Sequence, residues 1–441
     1  RDADRTIVAP PARDRAGAAP SSHPPRHRFV TGAPLVVARG LRYRASDGRA
    51  KDAGKVPHAT GGAGSPHRPR LLEEARMSNT KRFGVAAGAT GLLLAASLGS
   101  TATGQDLTPV SVVLQWVPQA QFAGYYAAKA QGFWEAQGLD VTIVDGGPDV
   151  APQVVGSDPN GPEFATSWVP RVLAVVDQGQ SDLVNIAQIF QRSGTLSVSW
   201  ADNAVASPAD FAGKKIGVWD YGNEYEVTAA AKAAGLEAGT DFEKVIQPFD
   251  MSLLLNKEID AAEAMIYNEY AQVLETVNPA TGELYTPEDL TVIDYNEVGT
   301  AMLQDAIHAR ASWLAEPGHE EIAVKFLVGA FEGWMYCRDN PEDCVQYTVD
   351  AGSTLGLGHQ RWMMNEINPL IWPSENGIGS FPVDTWNTTV SIMKDAGLLT
   401  QDPAEGAYRT DLADQARAMI EGDTTGASFV KGTVEVTPGG E

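Results

Sequence analysis

Cysteine is almost missing from this chain: Cys337 and Cys344 are the two present in 441 residues, and they form no Cys-x-x-Cys pair. That shortage excludes a zinc ribbon and a thioredoxin-like redox site. Histidine is scarce as well. Four of the 7 lie in residues 1–76, leaving His308, His319 and His359 scattered singly. Neither a metal-ligand spacing nor a nucleophile–His arrangement is visible, so no metal and no cofactor is expected. Positive charge is short too: residues 105–441 carry 16 Lys and Arg against 49 Asp and Glu, a net −33 with His neutral. A surface this acidic repels nucleic acid and anionic lipid, and neither is expected as a partner. Beyond residue 104 no apolar run is long enough to span a bilayer.

The beginning of the chain reads as two different pieces. Residues 1–76 are rich in Arg, Pro, Gly and Ala without apolar periodicity, and are expected to be disordered and foreign to the native protein. From Met77 the stretch "MSNTKRFGVAAGATGLLLAASLGSTATGQD" places Lys81 and Arg82 before a small-residue apolar segment, residues 83–98. Ala102-Thr103-Gly104 then supplies small residues for cleavage. This predicts a secretory signal peptide over residues 77–104 and a periplasmic mature chain. In that oxidising compartment Cys337 and Cys344 of "YCRDNPEDC" read as a disulfide closing a short polar loop, with two free thiols as the alternative.

Strand-like and helix-like runs alternate through the mature chain, which predicts parallel α/β sheets. "VSVVLQW" reads as a strand, "YYAAKAQGFWEAQ" as a helix ended by Gly138, "LDVTIV" and "PEFATS" as further strands. A second unit opens at "KKIGVW", with a helix from Glu226. The layout is one lobe interrupted by another: lobe one over residues 105–196 and 306–430, lobe two over 197–305, and a flexible tail over 431–441. Crossings between the lobes are expected near residues 195–200 and 300–309. Around the exit of the first strand stand Trp116, Phe122, Tyr125 and Tyr126, where open α/β sheets bind ligands.

Four stretches carry a resemblance: "LQWVPQAQFAGYYAAKAQGFWEAQGLDV", "FAGKKIGVWDYGNEYEV", "QPFDMSLLLNKEIDAAEAMIYNEY" and "GTAMLQDAIHA". Together they span most of residues 107–310, and the sequence resembles the type II substrate-binding proteins of ABC importers. Within them it is most similar to the thiamine-pyrimidine-synthase-like branch, whose members bind pyrimidine precursors of thiamine and in some cases riboflavin. The "GVW–GNE" and "YNEY" stretches are the more specific to that branch. The resemblance implies a two-lobe α/β fold with a hinge, a flat heterocyclic ligand held in an interlobe cleft, an ABC permease as partner, and a monomer.

Such a cleft collects strand-end residues from both lobes. From lobe one the expected contacts are Trp116, Tyr126, Ser167 and Trp168; from lobe two Trp219, Tyr221, Asn223, Glu224, Tyr267, Asn268 and Glu269; and Asp305 at the return crossing. Facing rings can sandwich a heterocycle while carboxylates and amides orient it. Trp219 and Tyr267 fit the lobe-two core equally well, Asn223 fits a helix cap, and Glu269 and Asp305 fit solvated surface charges. The catalytic alternative is a thiamine pyrimidine synthase, which uses pyridoxal phosphate and a histidine of its own chain. Ser167 and Arg171 stand where those enzymes carry lysine and histidine, Phe122 stands where related sequences often have histidine, and the cysteine-rich run is absent. Without the lysine no Schiff base forms, so a binder and no enzyme is expected.

Overall fold

Apolar residues recurring at alternate positions in "PVSVV" and "LDVTIV" bury one face of each segment, and the two pair in parallel as strands. The protein is described by a computed structural model over residues 106–203 and 205–441. The expectations for residues 1–76 and 77–104 lie outside the described residues.

Ten strands run through the described residues: β1 (Thr108–Val113), β2 (Leu139–Val144), β3 (Phe164–Ser167), β4 (Leu183–Gln188), β5 (Thr195–Trp200), β6 (Lys215–Val218), β7 (Glu243–Ile246), β8 (Ala261–Met265), β9 (Leu290–Asp294) and β10 (Ala306–Arg310). They form two five-stranded sheets, ordered β2-β1-β3-β10-β4 and β7-β6-β8-β5-β9. The sheets are mixed rather than wholly parallel. Strand β10 runs antiparallel to both β3 and β4, and β5 antiparallel to both β8 and β9. Each reversed strand is the first the chain enters after changing sheets, and it slots between two strands that share one direction.

The first crossing comes earlier than expected. Residues 195–200 are not the connection but β5 itself, inserted beside β8 in the second sheet, and the chain changes sheets between β4 and β5. Leu196, Val198 and Trp200 join an apolar cluster on one face, while Ser197 and Ser199 on the other hydrogen-bond Tyr295 Oη and Val205 O. A strand covered on both faces tolerates serine only when each hydroxyl finds such a partner. The return crossing lies between β9 and β10, and the last part of the expected connection, from Ala306, is strand.

Helices of the C-terminal part cover the first sheet. Phe164 of β3 stacks on Phe326 at 3.9 Å, and Trp134 on the same ring at 5.3 Å. The helix Ala123–Ala130 meets the helix His319–Asp339 at bare backbone: a Cβ on Gly333 would lie 2.0 Å from Gly124 O. Both glycines are therefore spacers for a close helix crossing.

Cys337 and Cys344 form a buried disulfide with Cα atoms 5.5 Å apart. It does not close a surface loop. Cys337 sits in the last turn of His319–Asp339 and Cys344 in the first turns of Pro341–Asp350, so the bridge pins a helix–helix corner. The expected loose tail is also seated. Gly439 N donates to Glu275 O, Gly440 is buried beside His359, and Thr437 Oγ1 donates to Glu441 O.

Candidate ligand-binding cleft

Loops leaving the carboxyl ends of the strands in both sheets converge on one cavity of about 340 Å³. The first sheet contributes Gln115, Trp116, Gln119 and Gln121 after β1, the segment 147–151 after β2, and Trp168 and Arg171 after β3. The second contributes Trp219, Asp220, Tyr221 and Asn223 after β6, Phe249 after β7, and Met265, Tyr267, Asn268 and Glu269 at and just past the end of β8. Helix dipoles and unpaired strand ends make this side of an α/β sheet the natural ligand side.

Aromatic side chains dominate the walls. Trp116 and Phe249 meet edge to face across the cleft, with centroids 4.7 Å apart and planes at 60°. Trp219 lies nearly parallel to Phe249 at 6.2 Å, its N–H donating to Glu263 Oε2 and its Nε1 to Pro248 O. Tyr267 is buried and sets its ring edge-on to Phe190 at 6.3 Å. Trp219 and Tyr267 are thus both core and lining. The two readings of these rings do not compete, because a strand-end ring can pack one face inward and show the other to the cavity.

Polar groups behind the rings hold them in place. Asp305 accepts from Trp168 Nε1 at 2.9 Å and from Gln121 Nε2 at 2.9 and 3.0 Å. Burial pushes its carboxyl up to about 6, against the pull of those two donors. Gln115 spans the same wall, accepting from Trp168 N at 2.7 Å through its side chain while its own N–H donates to Thr166 Oγ1. In the second lobe Glu269 accepts from Met265 N and from Asn268 Nδ2, and burial raises it to about 7. Asn268 Oδ1 faces His359 Nε2 at 2.9 Å, and the other ring nitrogen faces both Glu275 oxygens at 2.9 Å. The cleft amide is therefore oriented from outside the cleft.

Of the expected contacts, Trp116, Trp168, Trp219, Tyr221, Asn223, Tyr267, Asn268 and Glu269 come together around the cavity. Tyr221 stands at the rim, 86% exposed, with a left-handed φ of 67°. Four others are set apart from it. Tyr126 turns into the core between the helix Ala123–Ala130 and its neighbours. Ser167 is fully buried within the first sheet, paired with Ala306 of β10. Glu224 folds back on its own turn, accepting from Gly222 N at 2.9 Å and lying 3.9 Å from Lys244 Nζ. Asp305 is one shell behind, and it is no surface charge, being 4% exposed. Asn223 does not cap the helix Tyr225–Ala233, since its amide donates to Asp220 O.

Sequence reasoning missed Phe249, Gln115, Gln119, Gln121, Arg171 and the 147–151 segment as lining residues. Their signal was positional. Each lies within eight residues of a strand's carboxyl end, and applying that rule to every strand would have found Phe249 after β7. Among the described residues that line the cavity, Arg171 is the single cation, and its Nε is buried without a hydrogen-bond partner. No group of His, Cys, Asp and Glu suited to a metal ion occurs among the described residues.

Comparison with known proteins agrees with this architecture. The chain is 23% identical over 304 residues to the riboflavin-binding protein RibY of Chloroflexus aurantiacus, covering 67% of this chain and 82% of that one. It is 24% identical over 312 residues to the formylaminopyrimidine-binding protein of Halalkalibacterium halodurans, covering 68% and 89%. Among solved structures, a Bordetella bronchiseptica RB50 protein superposes with a TM-score of 0.52 at 16% identity, over 71% of this chain and 98% of that one. The periplasmic aliphatic sulphonate binding protein SsuA of Escherichia coli gives 0.51 at 13% identity, over 66% and 89%. At such identities the superpositions establish the fold, the two-lobe type II periplasmic-binding-protein architecture. The NMT1/THI5 like family model matches residues 119–344, more than half of the chain, and the protein belongs to that family.

Proposed function

We propose that this protein is the solute-binding component of an ABC importer, capturing a flat nitrogen heterocycle for uptake. The carrying observation is the cleft itself: six aromatic side chains, Trp116, Trp168, Trp219, Tyr221, Phe249 and Tyr267, drawn from both sheets around about 340 Å³. Opposed rings stack on a planar ligand, and a few amides and carboxylates fix its edge. The relatives named for riboflavin and for formylaminopyrimidine support this ligand class. The volume sits at the low end of the range for drug-sized ligands, roughly 300–1,000 Å³, and has room for a planar ring ligand. The lobes close about the connections β4–β5 and β9–β10, and the closed monomer delivers its ligand to a permease from the periplasm, which it reaches through the leader at residues 77–104.

A synthase-like reaction is disfavoured by the lining, which offers Gln, Asn, Asp, Glu and Arg but no lysine amine to hold a carbonyl cofactor. A thermal-shift screen tests the proposal, using riboflavin and 4-amino-5-hydroxymethyl-2-methylpyrimidine against alkanesulfonates and amino acids. A cognate heterocycle at about 100 times its Kd stabilises by about 2.7 kcal/mol. Stabilisation by sulfonates alone overturns the ligand class.

A further inference from the structure

Arg171 is the odd residue of the cleft. It projects from the first turn of the helix Val169–Asp177 in the first lobe and reaches Gly222 of the second, where an added Cβ would stand 3.3 Å from the Arg171 Cγ. Two acidic side chains lie near enough to act on its charge, Glu224 and Asp305, yet both are otherwise engaged. Glu224 accepts from Gly222 N and neighbours Lys244, and Asp305 holds Trp168 and Gln121. The Arg171 Nε is left buried with no acceptor among the described residues. Burial lowers the guanidinium's pKa, with Tyr225, Asp305 and Glu224 opposing, and the group stays charged. A second lining group is in the same state. Gln119 donates to Gln121 but its Oε1 is buried and unpartnered.

Buried polar atoms in folded proteins are paired, and an unpartnered donor and an unpartnered acceptor on two side chains that line one cavity call for a ligand that supplies the complement. Resting on the heterocycle reading above, we propose that Arg171 determines specificity by donating to a ring carbonyl of the ligand. Gln119 accepts from a ring N–H or amino group of the same molecule. The preferred class is thus an oxo-heterocycle with a carbonyl beside an N–H, as in a pyrimidinedione or an isoalloxazine, and not a ring bearing amino groups alone. A full anion is a poor fit, because Asp149, Asp220 and Glu269 line the same cavity around the one cation.

The test titrates riboflavin, by quenching of its fluorescence, and 4-amino-5-hydroxymethyl-2-methylpyrimidine, by calorimetry, into the wild-type protein, Arg171→Met and Arg171→Lys. Methionine keeps the stem and removes every donor; lysine keeps the charge but not the fork, and guards against a methionine variant that fails to fold. Expected is wild-type preference for riboflavin, a loss of riboflavin affinity of about tenfold to a hundredfold in Arg171→Met with a smaller loss in Arg171→Lys, and aminopyrimidine binding unchanged within about twofold. Riboflavin binding that survives both substitutions overturns the role of Arg171 while leaving the heterocycle reading intact. Equal losses for both ligands overturn it too, marking Arg171 as an interlobe packing residue. Wild-type protein that binds neither heterocycle overturns both proposals together.

Discussion

Trp116, after the first strand of one sheet, and Phe249, after the third strand of chain order in the other, meet edge to face with centroids 4.7 Å apart. Each ring packs partly on its own lobe and partly on the other's. Any ligand that stacks between the lobes must engage or displace this pair.

Trp116→Ala is expected to weaken heterocycle binding by at least several-fold while changing stability little. Trp116 is half-buried and packs on the edge of the first-lobe core rather than within it. Losing one stacking face costs about 0.5–1.5 kcal/mol beyond the lost burial, whereas removing a core Trp costs about 3–5 kcal/mol of stability. Titration and a denaturant melt on the same variant separate the two. Intact affinity with collapsed stability would assign the ring to the core.

Asp305→Ala is expected to behave in the opposite way, lowering affinity and stability together. The substitution strands Trp168 Nε1 and the Gln121 amide, both buried. Each unsatisfied donor costs about 1–3 kcal/mol, and Trp168 loses the contact that orients its ring. The same titration and melt apply, and a loss of affinity with unchanged stability would count against a supporting role.

Stability is expected to fall as pH rises. Glu226 accepts from Met302 N and Ser193 Oγ, and so ties together the two connections between the sheets. Burial pushes it up to about 8 from 4.5, with those hydrogen bonds opposing, and raises Glu269 to about 7 and Asp305 to about 6. A carboxyl raised in the folded state keeps a proton that the unfolded chain releases. Its contribution is complete below the unfolded value and is lost as pH climbs through the folded one, on the order of a few kcal/mol for Glu226. Tm measured from pH 5 to 8.5 should therefore decline, and Glu226→Gln, which removes the titrating group while its one oxygen can still accept from Met302 N, should flatten the decline. A Tm that rises steadily to pH 8.5 would refute the assignment.

Replacing Cys337 and Cys344 together by serine should lower stability by about 2–3 kcal/mol, the loop-entropy value for so short a closed segment. Ligand affinity should stay unchanged, because the bridge pins a helix corner and neither cysteine lines the cleft. Denaturant melts with and without reductant provide the measurement; equal midpoints would show that the helices hold the corner without it.

Local pattern alone determined the strand-and-helix alternation and the position of Trp116 just past the first strand, because period-2 burial and glycine stops are written in neighbouring residues. The end of the third strand likewise pointed to Trp168, and the motif stretches to Trp219, Tyr267 and Asn268, all of which line the cavity. Tertiary structure decided the rest. That β5 is an inserted, reversed strand and not a connection depends on which strands it pairs with, β8 and β9, about 60 and 90 residues away. Whether Tyr126 or Phe249 faces the cavity depends on helix and loop orientation against the sheet, and chain spacing does not encode it. The open Nε of Arg171 is the clearest case. A residue is unpartnered only relative to everything packed around it, and Glu224 and Asp305, the carboxylates that act on its charge, are taken by Gly222, Gln121 and Trp168 from three separate stretches of chain.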